Sequence, residues 1–297
     1  IVITGDMTYG DNSPIYTISY ASMPGLDITE DADLIAMFKQ TIENAFNGGT
    51  STFYFVDAND NKVTDWKNVK VGNYNLGAYT DGLENYNVTA SNVSCVNVAK
   101  RSITISLVGG SKVYDGKPLT LGYVLKDGSS LAPNDSFESY TLPSITNVGK
   151  ETYNSLALTI ASSVNKPHGN DVSITECYNI TYEAASLEIT KAPLSITANN
   201  VTITYGSYVP ETGIVVNGLV NGETISVLGG SIAVKFVNKA DSNNTITATA
   251  TKGVAAYSFK YDGYVSAGEY NIVVSGVTSG NYSISFINGT LTVNQAM

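Results

Sequence analysis

Alternation of polar and apolar residues dominates this chain and predicts short β-strands. The clearest example is NYSISFINGTLTV at 281–293, where alternate residues are apolar on both sides of Asn288-Gly289. An Asn-Gly pair can supply the positive φ angles of a tight turn, so this stretch predicts a β-hairpin. Related stretches at 85–98 and 177–190 are each followed at once by another short strand pattern. The chain is therefore predicted to consist of several β modules.

The two ends of the chain align at an offset of 196 residues. Tyr9 falls on Tyr205 and Tyr74 on Tyr270, and neighbouring Gly, Pro and Asn residues match as well. Glycine and proline fix backbone geometry, and tyrosine spans core and surface, so these are the residues that a shared fold would need.

The middle of the chain follows a related pattern, with VYDGKPL at 113–119 where the two ends have Tyr-Gly. We predict a mainly β protein of three tandem modules, each β-grasp-like or a small sandwich, at 1–99, 100–191 and 192–297. The predicted boundaries leave almost no linker, and short connections restrict relative motion. We therefore expect a semi-rigid rod.

One stretch has helical periodicity. In LDITEDADLIAMFKQTIENAFNGG at 26–49, the apolar residues recur at the spacing of one helix face: Leu34, Ile35, Phe38, Ile42 and Phe46. An N-terminal acidic turn and the closing Gly48-Gly49 can bound it. The pattern predicts a helix at about 31–46 that packs across the sheet of the first module.

These motifs resemble the tandem "mostly beta, glycine-rich" (MBG) repeats of bacterial surface adhesins. The opening Tyr-Gly, a middle Gly-x-Tyr and the closing GNYSISFINGTLTV carry the resemblance, and 113–119 with 178–197 resembles the related YDG type. The resemblance implies a non-enzymatic stalk or adhesion segment of a secreted or cell-surface bacterial protein. Its implied location is extracellular, and its implied partner is a host or matrix protein or a glycan.

Composition narrows the partner classes. The formal net charge is −10 and Arg101 is the single arginine. Nucleic acid requires clustered Lys and Arg, so we expect no nucleic-acid partner. The sequence has no run of about 18 apolar residues, so we expect no membrane insertion. The start lacks a basic secretory region and an initiator Met, which suggests a trimmed piece of a longer polypeptide. We expect a monomer.

The residues that usually carry chemistry are sparse. His168 is the only histidine and lies in a predicted turn. No G-x-S-x-G, HExxH or phosphate-loop motif occurs. The DANDN stretch at 57–61 has the first spacing of a calcium loop, but Lys62 and Asn68 stand where Gly and Glu are needed, which favours a hairpin turn. We predict no enzyme activity, no catalytic residue, no cofactor and no metal.

Two aromatic residues, Trp66 and Tyr79, are candidates for ligand contact. A glycan-binding module is the first alternative function, and it predicts a shallow groove in which Trp66 and Tyr79 are both exposed. Trp66 can instead cover the edge of a core. A second alternative is an accessory region of a larger exported enzyme.

Cys95 and Cys177 are the only cysteines. We predict two thiols, because the residues lie near the ends of consecutive modules. The alternative is a disulfide, which requires Cα atoms within about 7 Å.

Overall fold

The computed structural model describes residues 2–19, helical positions between 32 and 44, and residues 53–79, 95–163 and 173–297. The described chain is mainly β, with one small helix, as predicted. No described helix is long and apolar enough to cross a membrane. We refer to 1–99, 100–191 and 192–297 as the first, second and third segments.

The chain forms two compact units that divide the second segment between them. The first unit comprises Ile1–Leu107, Tyr123–Thr141 and Asn154–Ala184, and the second comprises Val108–Gly122, Leu142–Tyr153 and Ala185–Met297. The division into three modules stays a prediction.

The described residues of the first segment form a five-stranded sheet with the order β2-β1-β5-β4-β3. Strands β1 and β5 are parallel, and the other neighbours are antiparallel. The strands are β1 (Val2–Thr8), β2 (Ile15–Ser19), β3 (Phe53–Val56), β4 (Gly72–Tyr79) and β5 (Cys95–Ala99). The predicted helix is confirmed at its described positions, which are 32, 33, 35–37, 40 and 44. Most of its predicted apolar face lies outside the described residues.

In the described part of the second segment there are ten strands in four small sheets. They are β6 (Arg101–Val108), β7 (Gly110–Val113), β8 (Leu119–Thr120), β9 (Gly122–Leu125), β10 (Asp135–Tyr140), β11 (Ser144–Ile145), β12 (Gly149–Tyr153), β13 (Leu158–Ser162), β14 (Tyr178–Glu183) and β15 (Ala185–Thr190). Sheets β14-β6-β9 and β10-β13 belong to the first unit apart from end residues, and β12-β15-β7 and β11-β8 to the second.

The third segment contains a nine-stranded sheet with the order β17-β24-β22-β19-β20-β21-β18-β16-β23. Its core is lined by buried aromatic residues such as Phe236, Phe259 and Tyr270. The strands are β16 (Ala192–Ala198), β17 (Val201–Thr204), β18 (Val209–Asn217), β19 (Gly229–Asn238), β20 (Thr245–Lys252), β21 (Tyr257–Tyr261), β22 (Gly268–Thr278), β23 (Tyr282–Ile287) and β24 (Gly289–Asn294).

The hairpin predicted at 281–293 is wrong. Strands β23 and β24 are consecutive but do not pair, because β23 pairs with β16 whereas β24 pairs with β22 and β17. Neither Asn288 nor Gly289 is among the residues with positive φ. A Cβ on Gly289 would lie 2.6 Å from the Ala198 carbonyl oxygen, so this glycine permits a close backbone approach instead. Strands β14 and β15 also diverge to different partners.

The predicted equivalence of Tyr74 and Tyr270 holds locally. Gly72 and Gly268, two residues earlier in each case, have φ values of 148° and 149°. The Tyr74 hydroxyl donates to the carbonyl oxygen of Lys70 at 2.8 Å, and Tyr270 makes the same bond to Ser266 at 3.0 Å. Each tyrosine thus ties its strand to the residue four positions before it.

Candidate functional site

Trp66, the first predicted ligand contact, is half-buried in an aromatic cluster. Its ring centroid lies 5.8 Å from that of Phe55 and 5.6 Å from that of Tyr74. Burial raises the pKa of Tyr16, and a hydrogen bond from Trp66 opposes that shift. These contacts match the alternative in which Trp66 covers a core edge. Tyr79 ends β4, and its side chain lies outside the described residues. Ligand contact by this pair stays a prediction.

The Asp57 carboxylate organises the turn at 57–61. Its Oδ1 accepts from the backbone N–H groups of Asn59 at 2.7 Å and Asn61 at 2.9 Å, and its Oδ2 accepts from the Asn61 amide. The turn interpretation of DANDN is therefore confirmed. Among the described residues, no group of three or more His, Cys, Asp or Glu is suited to a metal. His168 lies outside the described residues.

Both cysteines are thiols, Cys95 half-buried and Cys177 buried, and both belong to the first unit. Burial is the main cause that raises the pKa of Tyr9 and Tyr74, and the charge of an ionised Cys177 adds a smaller contribution in the same direction. The predicted thiols are confirmed. Cys177 is 1% exposed, so its role in the structure is that of a small buried side chain.

Sequence reasoning did not find the most elaborate polar site of the first unit, which joins two tyrosines to one carboxylate. Tyr9 and Tyr178 donate their hydroxyl hydrogen bonds to Oδ2 of Asp135, at 3.0 and 2.6 Å. Their rings meet edge to face, with centroids 5.5 Å apart. The backbone N–H of Ala132 donates to the Tyr178 hydroxyl at 2.9 Å. Tyr9 belongs to the first segment and is fully buried, whereas Asp135 and Tyr178 belong to the second. The site therefore ties the two segments together.

The second unit contains a matching site. Tyr114 donates to Oε1 of Glu223 and Tyr282 donates to Oε2, both at 2.5 Å. The two rings again meet edge to face with centroids 5.5 Å apart. The backbone N–H of Val220 donates to the Tyr282 hydroxyl at 3.0 Å. This site ties the second segment to the third.

The carboxylate in each site is the last residue of a four-residue turn, which we name the acceptor turn (132–135 and 220–223). The backbone N–H of Asp135 donates to the carbonyl oxygen of Ala132 at 3.1 Å, and that of Glu223 donates to Val220 at 2.9 Å. Asn134 and Asn221 adopt left-handed conformations, with φ values of 68° and 52°. Asparagine tolerates this conformation better than most residues.

The tyrosine that enters each acceptor turn lies in a tight bend, which we name the tyrosine turn. In the first unit it follows β1, and the backbone N–H of Asp11 donates to Thr8 at 3.0 Å across it. Gly10 has a φ of +84°, and Gly116 in the matching turn has +72°. Arg101 supports the first turn, because its Nε donates to the Tyr9 carbonyl oxygen at 2.8 Å.

Electrostatics keep the hydroxyls protonated. Burial raises the pKa of Tyr9 and Tyr178 far above the usual range, and the Asp135 charge adds to the effect. The hydrogen bond to Glu223 raises the pKa of Tyr114. Burial and then the bond to Glu223 raise the pKa of Tyr282 to about 12. Each site is therefore a pair of neutral donors on one carboxylate, an arrangement suited to holding segments together.

A separate surface feature involves two exposed tyrosines of the third segment. Tyr208 and Tyr264 are 54% and 61% exposed, and their rings stack with centroids 5.2 Å apart and planes 15° apart. Their hydroxyls lie 3.4 Å apart. The sequence does not reveal this pair, because the alternation pattern does not tell which loop aromatics come together.

Comparison with solved structures gives distant likenesses. Fibronectin(III)-like modules of CbhA from Clostridium thermocellum are 12% identical, with coverage of 67% of this chain and 92% of that one and a TM-score of 0.21. The titin domains z1z2, solved in complex with telethonin, are 12% identical, with coverage of 65% and 94% and a TM-score of 0.27. A SusE-like surface located polysaccharide binding protein from Bacteroides thetaiotaomicron is 14% identical, with coverage of 99% and 53% and a TM-score of 0.22. These scores are too low to establish a common fold.

Comparison of sequences is more informative for one part of the chain. No curated protein matches the sequence. Residues 194–292 match the MBG domain family of YGX type. This range contains Tyr205-Gly206 and the strands from β16 to β24 almost completely. The third segment is therefore similar to an MBG domain of the YGX type along nearly its whole length.

Proposed function

We propose that this chain is a non-enzymatic stalk or adhesion segment of a secreted or cell-surface bacterial protein. The observation that carries the proposal is the buried tyrosine–carboxylate site, which occurs twice and each time joins one segment to the next. The MBG match supports it at the level of domain type. A chain that projects a binding tip needs connections that resist bending, and these sites supply polar anchors beside short connections.

The connections themselves support the same role. Strand β5 ends at Ala99 and β6 begins at Arg101, and likewise β15 ends at Thr190 and β16 begins at Ala192. A single residue lies between strands in each case. Such a connection has little conformational freedom, in contrast to a flexible linker.

Small-angle scattering tests the stalk. A compact protein of 297 residues would have a radius of gyration of about 19 Å. We expect a monomer with a radius of gyration well above that value, because a stalk extends its modules end to end. A radius near the compact value, or a stable oligomer, would contradict the proposal.

Glycan binding is the second candidate function, and the exposed Tyr208–Tyr264 pair favours it. Aromatic rings combine an apolar face with a polar edge, and exposed apolar surface of this kind often marks a binding site. Sugar rings present apolar C–H faces that can stack on tyrosine. The pair offers two nearly parallel rings for one extended saccharide.

A glycan array with the full chain tests this candidate. We expect saturable binding that is lost when Tyr208→Ala and Tyr264→Ala are combined, because the stacking surface is removed. Tyr140→Ala is the matched control, since Tyr140 is also an exposed tyrosine, 49% accessible, but lies in the other unit. Binding that disappears instead with Trp66→Ala would place the ligand at Trp66, and an array without binding would leave no support for this function.

A further inference from the structure

A third bend, at Tyr205, shares the strand pairing and the tyrosine N–H bond of the two tyrosine turns, and we include it under the same name. The strand before each turn pairs in parallel with the last strand of its own segment, as β1 with β5, β7 with β15 and β17 with β24. The tyrosine N–H then donates to the final residue of that last strand. Tyr9 donates to Ala99 at 2.9 Å, Tyr114 to Thr190 at 2.8 Å and Tyr205 to Asn294 at 2.9 Å. A glycine of positive φ follows in each turn, at Gly10, Gly116 and Gly206.

The three tyrosines differ in what covers them. Tyr9 is 0% exposed and Tyr114 is 6% exposed, because each enters the acceptor turn of the following segment. Tyr205 is 53% exposed. The turn that follows β17 is closed in the usual way, since the Ser207 N–H donates to Thr204 at 3.0 Å. Its backbone therefore has the same closing bond as the first turn, in which the Asp11 N–H donates to Thr8 at 3.0 Å.

The glycines show the same difference. A Cβ on Gly10 would lie 2.2 Å from the Cβ of Ala132, and one on Gly116 would lie 2.7 Å from the Cβ of Asn221. Both contacts are with acceptor turns. A Cβ on Gly206 would meet no atom within 4 Å. The surface over Gly206 is thus open, whereas Gly10 and Gly116 are packed against acceptor turns.

The receiving side also has a fixed construction, and it defines the partner. The segment that receives the tyrosine turn begins with a strand that pairs in parallel with a later strand of that segment. This later strand carries the second tyrosine of the site, Tyr178 or Tyr282. Arg101 on β6 is level with Tyr178 on β14, and Ala192 on β16 is level with Tyr282 on β23. The acceptor turn then brings its carboxylate to the hydroxyls of both tyrosines.

We propose that the Tyr205 turn is a docking surface for a further β segment of the same kind as the third segment. The partner presents an acceptor turn ending in Asp or Glu, together with a tyrosine at the start of a strand. The Tyr205 hydroxyl donates to that carboxylate, and the Tyr205 ring meets the partner tyrosine edge to face. This inference rests on the two tyrosine–carboxylate sites and is independent of the stalk role.

An extended chain tests the proposal. It consists of residues 1–295 followed by a copy of residues 192–297, which keeps one residue between β24 and the next strand, as at Lys191. The copy carries Tyr205→Phe, so that nitrated Tyr205 peptides come only from the original position. Both chains are treated with tetranitromethane, and modified tyrosines are mapped by mass spectrometry.

In the 297-residue chain we expect rapid nitration of Tyr205 and Tyr140, both of which are exposed, and slow nitration of Tyr9 and Tyr114. In the extended chain we expect nitration of Tyr205 to slow by about tenfold or more, since labelling then requires local opening of the docked site. Tyr140 should react equally in both chains. Glu223→Gln in the copy alone should restore part of the Tyr205 reactivity, because the acceptor charge is lost.

Hydrogen exchange shows whether the copy is folded. Peptides common to both copies, such as 268–278, give a single protected population when both copies are folded. They give one protected and one unprotected population when only the original is folded. A folded copy beside an equally reactive Tyr205 would overturn the proposal. An unprotected copy would overturn it as well, because docking onto Tyr205 should order the segment that follows. Slower Tyr205 nitration that Glu223→Gln does not change would also count against it, since the carboxylate would then play no part.

Discussion

Gly10→Ala is expected to destabilise the first unit by about 3 kcal/mol. A left-handed alanine costs about 1 kcal/mol, and the new Cβ would lie 2.2 Å from the Cβ of Ala132, an overlap whose relief costs about 1 to 3 kcal/mol more. Urea unfolding followed by tryptophan fluorescence measures the change, because Trp66 is the only tryptophan and lies in this unit.

Gly128→Ala is the matched control for Gly10→Ala. Gly128 has the same φ of +84° and lies in the same unit, but a Cβ at this position would meet no atom within 4 Å. Its substitution should therefore show the backbone cost alone, about 1 kcal/mol. Adding Ala132→Gly to Gly10→Ala should recover part of the lost stability. Equal costs for Gly10→Ala and Gly128→Ala would mean that the tyrosine turn is not packed against the acceptor turn.

Glu223→Ala is expected to destabilise the second unit by about 3 kcal/mol or more. The substitution leaves two buried tyrosine hydroxyls, those of Tyr114 and Tyr282, without their charged acceptor. Hydrogen bonds to charged groups contribute about 1.5 to 3 kcal/mol each, and an unpaired buried donor adds its own cost. Hydrogen exchange of the β23 and β24 amides measures the effect as a loss of protection.

Glu211→Ala provides the comparison for Glu223→Ala. Glu211 lies in the same unit and accepts one exposed hydrogen bond, from the Ser258 hydroxyl at 2.8 Å. An exposed substitution of this kind should cost less than about 0.5 kcal/mol. A double-mutant cycle with Tyr114→Phe then isolates the Tyr114–Glu223 interaction. Additive effects in that cycle would show that the Tyr114–Glu223 hydrogen bond contributes little to stability. Equal losses of stability for Glu223→Ala and Glu211→Ala would show the same.

The sequence predicted the secondary-structure elements well, but it did not predict which strands pair with each other. Alternation located the strands around Asn288-Gly289, and helical spacing located the helix near 31–46. Alternation does not say which strand pairs with which, so the same stretch was predicted to be a hairpin although β23 and β24 belong beside different neighbours. The Asn-Gly pair was also misleading, because Gly289 serves a close backbone approach.

The tyrosine–carboxylate sites show the same limit. Tyr9, Tyr205 and the YDG turn were visible as repeated motifs. Asp135 was not, since 126 residues separate it from Tyr9, and 109 separate Glu223 from Tyr114. A usable signal did exist, because both acceptor turns hold an Asn shortly before the carboxylate, as in APND and VNGE. Trp66 is the only tryptophan, and its surroundings are set by tertiary packing that no local pattern reveals.

The parallel pairing of early strands with late strands of the same segment has a consequence for the timing of folding. Strand β1 cannot complete its sheet until β5 has been synthesised, and β16 likewise waits for β23. Such long-range closure is slow compared with local contacts. Tyr9 is then buried only when Asp135 and Tyr178 of the next segment are in place. The chain is therefore expected to mature from its N-terminus onward, with each segment sealed by the one that emerges after it.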